Sequence, residues 1–151
     1  MDRLRPTSSK VRQALFNILY DVSGLVFADL FAGTGEVGIT ALKKGAKFVY
    51  FVEKDRKRVE KIKKSASKYS INFRVYRADA LKFLKNFDKK IDVIFADPPY
   101  DYKEYDKLIE LALQKLSDEG IFVLEHRIGK SFGAEEERKY GDTVLSFWRK
   151  K

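Results

Sequence analysis

The sequence predicts an α/β fold, a central and mostly parallel seven-stranded sheet with helices on both faces and an antiparallel C-terminal hairpin. Three stretches carry this reading. Residues 26–30 form an apolar run that ends at the glycine turn Gly33-x-Gly35-x-x-Gly38, the pattern of a buried strand handing over to a helix where a ligand approaches the backbone closely. Residues 91–96 are apolar throughout apart from Asp92, as a central parallel strand covered on both faces should be. Residues 136–140 and 144–148 flank Gly141-Asp142, and strand-like runs around so short a turn read as an antiparallel hairpin at the sheet edge.

Length and composition narrow the class. At 151 residues the chain suits a single domain over 1–151, with a basic segment and helix over 1–20 and an α/β core over 24–151. The absence of cysteine excludes disulfides, thiolate metal sites and cysteine nucleophiles, and no metal is expected. No apolar run approaches the roughly 18 residues of a membrane span. The N-terminus MDRLRPTSSK lacks the apolar centre of a signal peptide, so a cytoplasmic monomer without membrane contact is expected. The 31 basic against 22 acidic residues give a net charge of +9, which favours a polyanionic partner, nucleic acid first. A lysine- and glutamate-rich, heat-adapted surface is the alternative source of such charge.

In chain order, Arg3, Arg5, Lys10 and Arg12 crowd the N-terminus, and Pro6-Thr7-Ser8-Ser9 stops and caps a helix that runs to about Tyr20. Val11, Ala14, Leu15, Ile18 and Leu19 make its apolar stripe, and its charges serve either solvation or phosphate contact. After the first strand, Asp29 lies four residues before Gly33, where it would repel the pyrophosphate of a dinucleotide. Its charge suits the ammonium and sulfonium of S-adenosylmethionine instead. Residues 36–44 read as a helix closed by Gly45, and residues 48–52 as a second strand ending in Glu53. Glu53 stands 18 residues beyond Gly35, where a carboxylate grips ribose hydroxyls; Asp55 is the better cap for the next helix.

That helix spans 56–69 with Val59, Ile62 and Ala66 inward and its lysines solvated. Residues 73–76 form the third strand, followed by Asp79, which either accepts from an adenine amine or caps a short helix over 80–84. The fourth strand, 91–96, ends in Asp97-Pro98-Pro99-Tyr100. Two prolines after a strand fix φ and forbid both ladder and helix, so the loop should hold the Asp97 carboxylate, the Pro98 carbonyl and the Tyr100 ring in place. A helix is expected over 102–116 with Tyr105, Leu108, Ile109, Leu111, Ala112 and Leu116 inward, then a fifth strand over 120–124 ending in Glu125-His126. His126 reads as structural, and Phe147 and Trp148 as packing residues.

Strand, glycine turn, acid-tipped second strand, Asp79, the Asp-Pro-Pro-Tyr loop and the hairpin together resemble the class I S-adenosylmethionine-dependent methyltransferases, a Rossmann-like fold, over nearly the whole chain. Within them the loop resembles the signature of enzymes that methylate exocyclic amino nitrogens. Arg5-Pro6-Thr7 before VRQALFNIL, then DLFAGTGEVGITALKKGA, ADPPY and Tyr140-Gly141-Asp142-Thr143 are similar to the RsmD family of 16S ribosomal RNA guanine-N2 methyltransferases. Members of that family carry a further basic strand segment before the Arg-Pro-Thr, whereas this sequence begins almost at it, so RNA docking is expected to be weaker or differently arranged.

The resemblance implies an S-adenosylmethionine site with Asp29, Gly33 and Gly35 near the methionine part, Glu53 on the ribose and Asp79 near the adenine. Phe31, Lys54, Ala80 and Asp97 complete its contacts. It implies ribosomal RNA or the assembling small subunit as partner, with Arg3, Arg5, Lys10 and Arg12 on the nucleic acid. The catalytic set is Asp97, Pro98, Pro99 and Tyr100: the Asp97 carboxylate and Pro98 carbonyl accept the amine hydrogens, and Tyr100 stacks on a flipped base. The same loop would serve methylation of adenine or cytosine amines in DNA or another RNA, although 151 residues leave no room for a target-recognition domain.

Overall fold

In the computed structural model, residues 8–150 are described. Arg3 and Arg5 lie outside the described residues. Ser8 caps α1 (Ser9–Leu19) by accepting the Val11 N–H at 3.2 Å. Phe16, left out of the stripe read from sequence, is buried and stacks on Phe27 at 6.1 Å, while Ala14 and Leu19 are only half-buried. The other elements are β1 (Val26–Leu30), α2 (Glu36–Lys43), β2 (Phe48–Glu53), α3 (Arg56–Ala66), β3 (Phe73–Arg77), α4 (Ala80–Asn86), β4 (Ile91–Ala96), α5 (Tyr105–Lys115), β5 (Leu116–Arg127), β6 (Glu136–Tyr140) and β7 (Thr143–Arg149).

The strands join into one seven-stranded sheet of order β3-β2-β1-β4-β5-β7-β6. The first five strands run parallel, and β7 inserts antiparallel between β5 and β6. The order reverses at β1, which has β2 on one side and β4 on the other; a crevice at the carboxyl ends of the strands forms at such a switch point. Strand alternation splits the core. Phe27, Phe51, Phe95 and Val123 pack against α1, α2 and α3 on one face, while Leu30, Ile94, Phe122 and Leu124 pack against α4 and α5 on the other.

Several boundaries differ from the sequence reading: α3 ends at Ala66 rather than Tyr69, α4 runs on to Asn86, β5 runs on to Arg127, and the starts of α5 and β5 move for local reasons. α5 starts at Tyr105 rather than Tyr102, because the chain after Pro98-Pro99 makes a turn in which the Tyr102 N–H donates to the Pro99 carbonyl at 2.9 Å. β5 starts at Leu116, well before Gly120, because Leu116 pairs with Ile91 and the Ser117 hydroxyl donates to Asp92 Oδ1 at 2.6 Å. The other Asp92 oxygen accepts the Val26 N–H at 2.8 Å, so the single charged residue of the central strand ties β1 and β5 to it. Phe147 and Trp148 are buried, with Trp148 stacked on Phe122 at 5.3 Å. His126 is buried in a structural role: Nε2 lies 2.6 Å from the Ser146 hydroxyl and Nδ1 2.9 Å from the Arg127 carbonyl.

Candidate active site

The turn after β1 is built from left-handed backbone. Phe31, Gly33 and Gly35 have φ of 58°, 61° and 80°. For Phe31 that conformation costs about 1 to 2 kcal/mol, strain that the sequence alone does not announce. Gly35 caps α2 without a side-chain hydrogen bond, and the Gly38 amide in the first turn is taken by Asp29. Gly38 serves another purpose than the ligand approach expected of it. A Cβ there would meet Phe51 Cε1 at 2.3 Å, so this glycine lets α2 pack onto β2.

Glu53 and Asp29 brace the turn from below. Glu53 Oε1 accepts the Gly33 N–H at 2.8 Å and Oε2 accepts the Asp55 N–H at 2.9 Å, with the Arg58 guanidinium at 3.8 Å. Asp55 is the cap of α3, as expected, accepting the Arg58 N–H. Asp29 is 1% exposed and accepts the Gly38 N–H at 3.0 Å. Burial pushes its pKa up to about 8, against the lowering effect of the Gly38 amide and helped by the charge of Glu53. Burial thus disfavours the open negative charge expected at the strand tip, and a cation placed beside Asp29 would favour its ionised form.

Asp97 follows β4, with its N–H on the Leu30 carbonyl at 3.5 Å. Its carboxylate takes no hydrogen bond among the described residues. Burial first, then the charges of Glu125 and Asp29, hold its pKa well above the usual carboxylate range. The register explains the place of Glu125, since Ala96 pairs with Leu124 and the next residues of the two strands stand side by side; Asp29 lies on the neighbouring strand, paired with Phe95. The Pro98 carbonyl is likewise unpaired among the described residues, whereas that of Pro99 takes the Tyr102 N–H. Tyr100 corrects an expectation: the residue is 78% exposed and meets no other ring among the described residues, so the prolines fix the backbone without clamping the phenol.

Asp79 caps α4, one oxygen accepting the Leu81 and Lys82 amides at 3.0 and 3.2 Å, which leaves the other without a donor among the described residues. Ala80, the first residue of α4, is buried, and Lys54 is exposed beyond β2 with its carbonyl held by Arg77 Nε at 3.3 Å. Lys10 is exposed, while Arg12 lies 3.6 Å from Glu36 Oε1, so one of the expected phosphate ligands is already engaged. A cavity of about 420 Å³ opens beside the turn between Gly33, Thr34, Asp55, Arg58 and Lys61.

Residues 1–149 match the family model described as Conserved hypothetical protein 95. The chain belongs to that family, the RsmD-type methyltransferases. It is 35% identical over 130 residues to YlbH of Bacillus subtilis, covering 81% of this chain and 71% of that one. To the Ribosomal RNA small subunit methyltransferase D of Escherichia coli strain K12 it is 32% identical, over 83% of this chain and 65% of that protein. Several of the curated relatives thus extend beyond the matched region. In structure it resembles yhhF of Escherichia coli, with a TM-score of 0.86, 28% identity and coverage of 98% and 88%. An RNA methyltransferase from Salinibacter ruber in complex with S-adenosyl-L-homocysteine shares the fold, with a TM-score of 0.77, 19% identity and coverage of 96% and 93%.

Two residues of this RsmD-type site were not singled out from sequence. Glu125 stands at the end of the fifth parallel strand, where the rule that flagged Glu53 and Asp97 would have flagged it too. Tyr102 packs edge-on against Phe31 at 5.2 Å and Tyr105 at 5.3 Å, and its hydroxyl is buried without a partner among the described residues. Burial, then the charge of Asp79, push that phenol up to about 12. No sequence signal marks it, because its burial depends on the turn after Pro99.

Proposed function

We propose that the chain transfers a methyl group from S-adenosylmethionine to the exocyclic N2 amine of a guanine in 16S ribosomal RNA. The observation that carries this reading is the pair of unmatched acceptors on one rigid loop, the Asp97 carboxylate and the Pro98 carbonyl, beside the glycine turn.

The residues at the strand ends suit that cofactor. Asp29, Glu53, Asp97 and Glu125 gather carboxylates at the strand ends, with the Arg58 guanidinium 3.8 Å from Glu53, and the raised pKa values of Asp29 and Asp97 mark a deficit of solvation for their charges. A cationic ligand relieves that deficit, whereas a diphosphate would worsen it. Glu53, with both oxygens fixed by backbone amides, offers its remaining lone pairs to ribose hydroxyls, and Asp79 has one oxygen left for an adenine amine. When bound, S-adenosylmethionine supplies an electrophilic methyl group on a sulfonium.

The protein's part is to make a weak nucleophile usable. A guanine amine delocalises its lone pair into the ring. If the Asp97 carboxylate and Pro98 carbonyl each accept one of its hydrogens, the nitrogen is drawn toward tetrahedral geometry with the lone pair aimed along the line of transfer. These bonds strengthen as the amine hydrogens become more positive, so they act mainly in the transition state. Tyr100, exposed to solvent, stacks on the extruded base. The methylated ammonium is acidic enough to lose its proton without a strong base.

The test is incubation of the purified chain with methyl-labelled cofactor and either 16S ribosomal RNA or isolated small subunits, followed by nucleoside analysis. Label in N2-methylguanosine is the expected result. Label confined to an adenine or cytosine amine, or none in either substrate, would overturn the reading.

A further inference from the structure

A second surface lies away from the strand-end site, on the outer half of the sheet. β2 and β3 point Phe48, Tyr50, Arg74 and Tyr76 to the same face, since Tyr50 pairs with Arg74 and Val52 with Tyr76 in the parallel register. α4 has only 7 residues and covers this face partially. What remains is an open groove of about 560 Å³ with an aromatic floor and a basic rim.

The rings form a continuous set. Phe48 and Tyr50 lie 4.8 Å apart, Tyr50 meets Phe87 edge-on at 4.9 Å, and Tyr76 meets Phe83 at 5.1 Å. Phe83 is buried and anchors the set, while Phe48, Tyr50, Tyr76 and Phe87 are half-exposed. Neither the Tyr50 nor the Tyr76 hydroxyl bonds to protein among the described residues. Arg74, Lys82 and Lys89 are exposed along the rim against the single carboxylate of Asp88, and the Arg74 guanidinium sits 5.5 Å over the Tyr76 ring. An aliphatic floor would suffice to close the core; half-exposed aromatic rings edged with cations match the chemistry of unpaired bases and their phosphates.

We infer that this groove binds single-stranded RNA, bases stacking on Tyr50, Tyr76 and Phe87 and phosphates meeting Arg74 and Lys82. Its upper end is Ala78, next to Asp79, so the bound strand leads away from the strand-end site across the edge of the sheet. Across β1 and β2, the distance from β4 to β3 is about 14 Å at the usual strand spacing of roughly 4.8 Å. The inference rests on the proposal that the substrate is RNA, and it adds a place for the unpaired nucleotides flanking the target.

An unstructured oligoribonucleotide of mixed sequence carrying 4-thiouridine and a fluorescent end label tests it on the full chain. Irradiation should crosslink Tyr50, Tyr76 or Phe87. The double variant Arg74→Ala/Lys82→Ala should lose affinity for the oligonucleotide by about tenfold and show a flatter salt dependence, with calorimetric affinity for S-adenosylmethionine unchanged. Tyr76→Ala should weaken binding by a similar factor while Tyr76→Phe, which keeps the ring, binds as the parent does. Unchanged affinity in the folded double variant, or crosslinks confined to residues outside the groove, would overturn the inference. The two readings fail separately: oligonucleotide bound in the groove without guanine methylation removes the proposed reaction and keeps the groove, and methylation with crosslinks elsewhere does the reverse.

Discussion

The Gly33 amide donates to Glu53 Oε1 at 2.8 Å, joining the turn after the first strand to the tip of the second. The bond orients a carboxylate by fixed backbone, so its remaining lone pairs point in one direction before any ligand arrives. Glu53→Ala should weaken S-adenosylmethionine by about 1 to 3 kcal/mol through a lost charge-assisted hydrogen bond. Glu53→Gln should recover part of that loss. Calorimetry on variants with unchanged unfolding curves checks this, and full affinity in Glu53→Ala would remove Glu53 from the ribose.

Asp97 should matter to transfer and little to cofactor binding. Asp97→Ala is expected to lower the single-turnover rate by about 100-fold or more, the usual scale for a lost preorganised electrostatic group. Asp97→Asn keeps one acceptor oxygen without charge, so it restores rate if orientation dominates and not if charge does. Saturating cofactor separates these outcomes from a binding defect. Rates near the parent in both variants would reduce the Asp-Pro-Pro-Tyr loop to a strand terminator.

Glu125 should set the pH at which Asp97 works. Its charge raises the Asp97 pKa, after burial. The transfer rate should therefore rise with pH as Asp97 loses its proton, and Glu125→Gln should move the midpoint of that rise to lower pH. Single-turnover rates across pH measure the shift. A midpoint displaced upward or unmoved would mean that the two carboxylates are not coupled.

Asp29 makes stability depend on pH. Its folded pKa of about 8 lies above its ordinary 3.8, so between these values the folded chain holds a proton that the unfolded chain has released. Unfolding free energy should fall as pH rises through this window and level off above it. Asp29→Asn should flatten the slope, and so should saturating S-adenosylmethionine, whose positive charge favours the ionised form. Denaturant unfolding across pH reads all of these slopes.

The strand-turn-helix at Gly33 and Gly35, the acidic tip at Glu53, the apolar central strand and the closing hairpin were legible because each is a local pattern, set by side-chain periodicity and turn chemistry within a few residues. So were the family signatures carried by Asp97-Pro98-Pro99-Tyr100. Only the tertiary structure put Glu125 beside Asp97, because that contact depends on the register of two strands far apart in the chain. It also decided that Asp29 is buried enough for its charge to be disfavoured, that Gly38 makes room for Phe51, and that Tyr102 is covered while Tyr100 is bare. Burial and charge coupling sum over neighbours brought in from strands far apart in the chain, and no window of sequence contains those neighbours together.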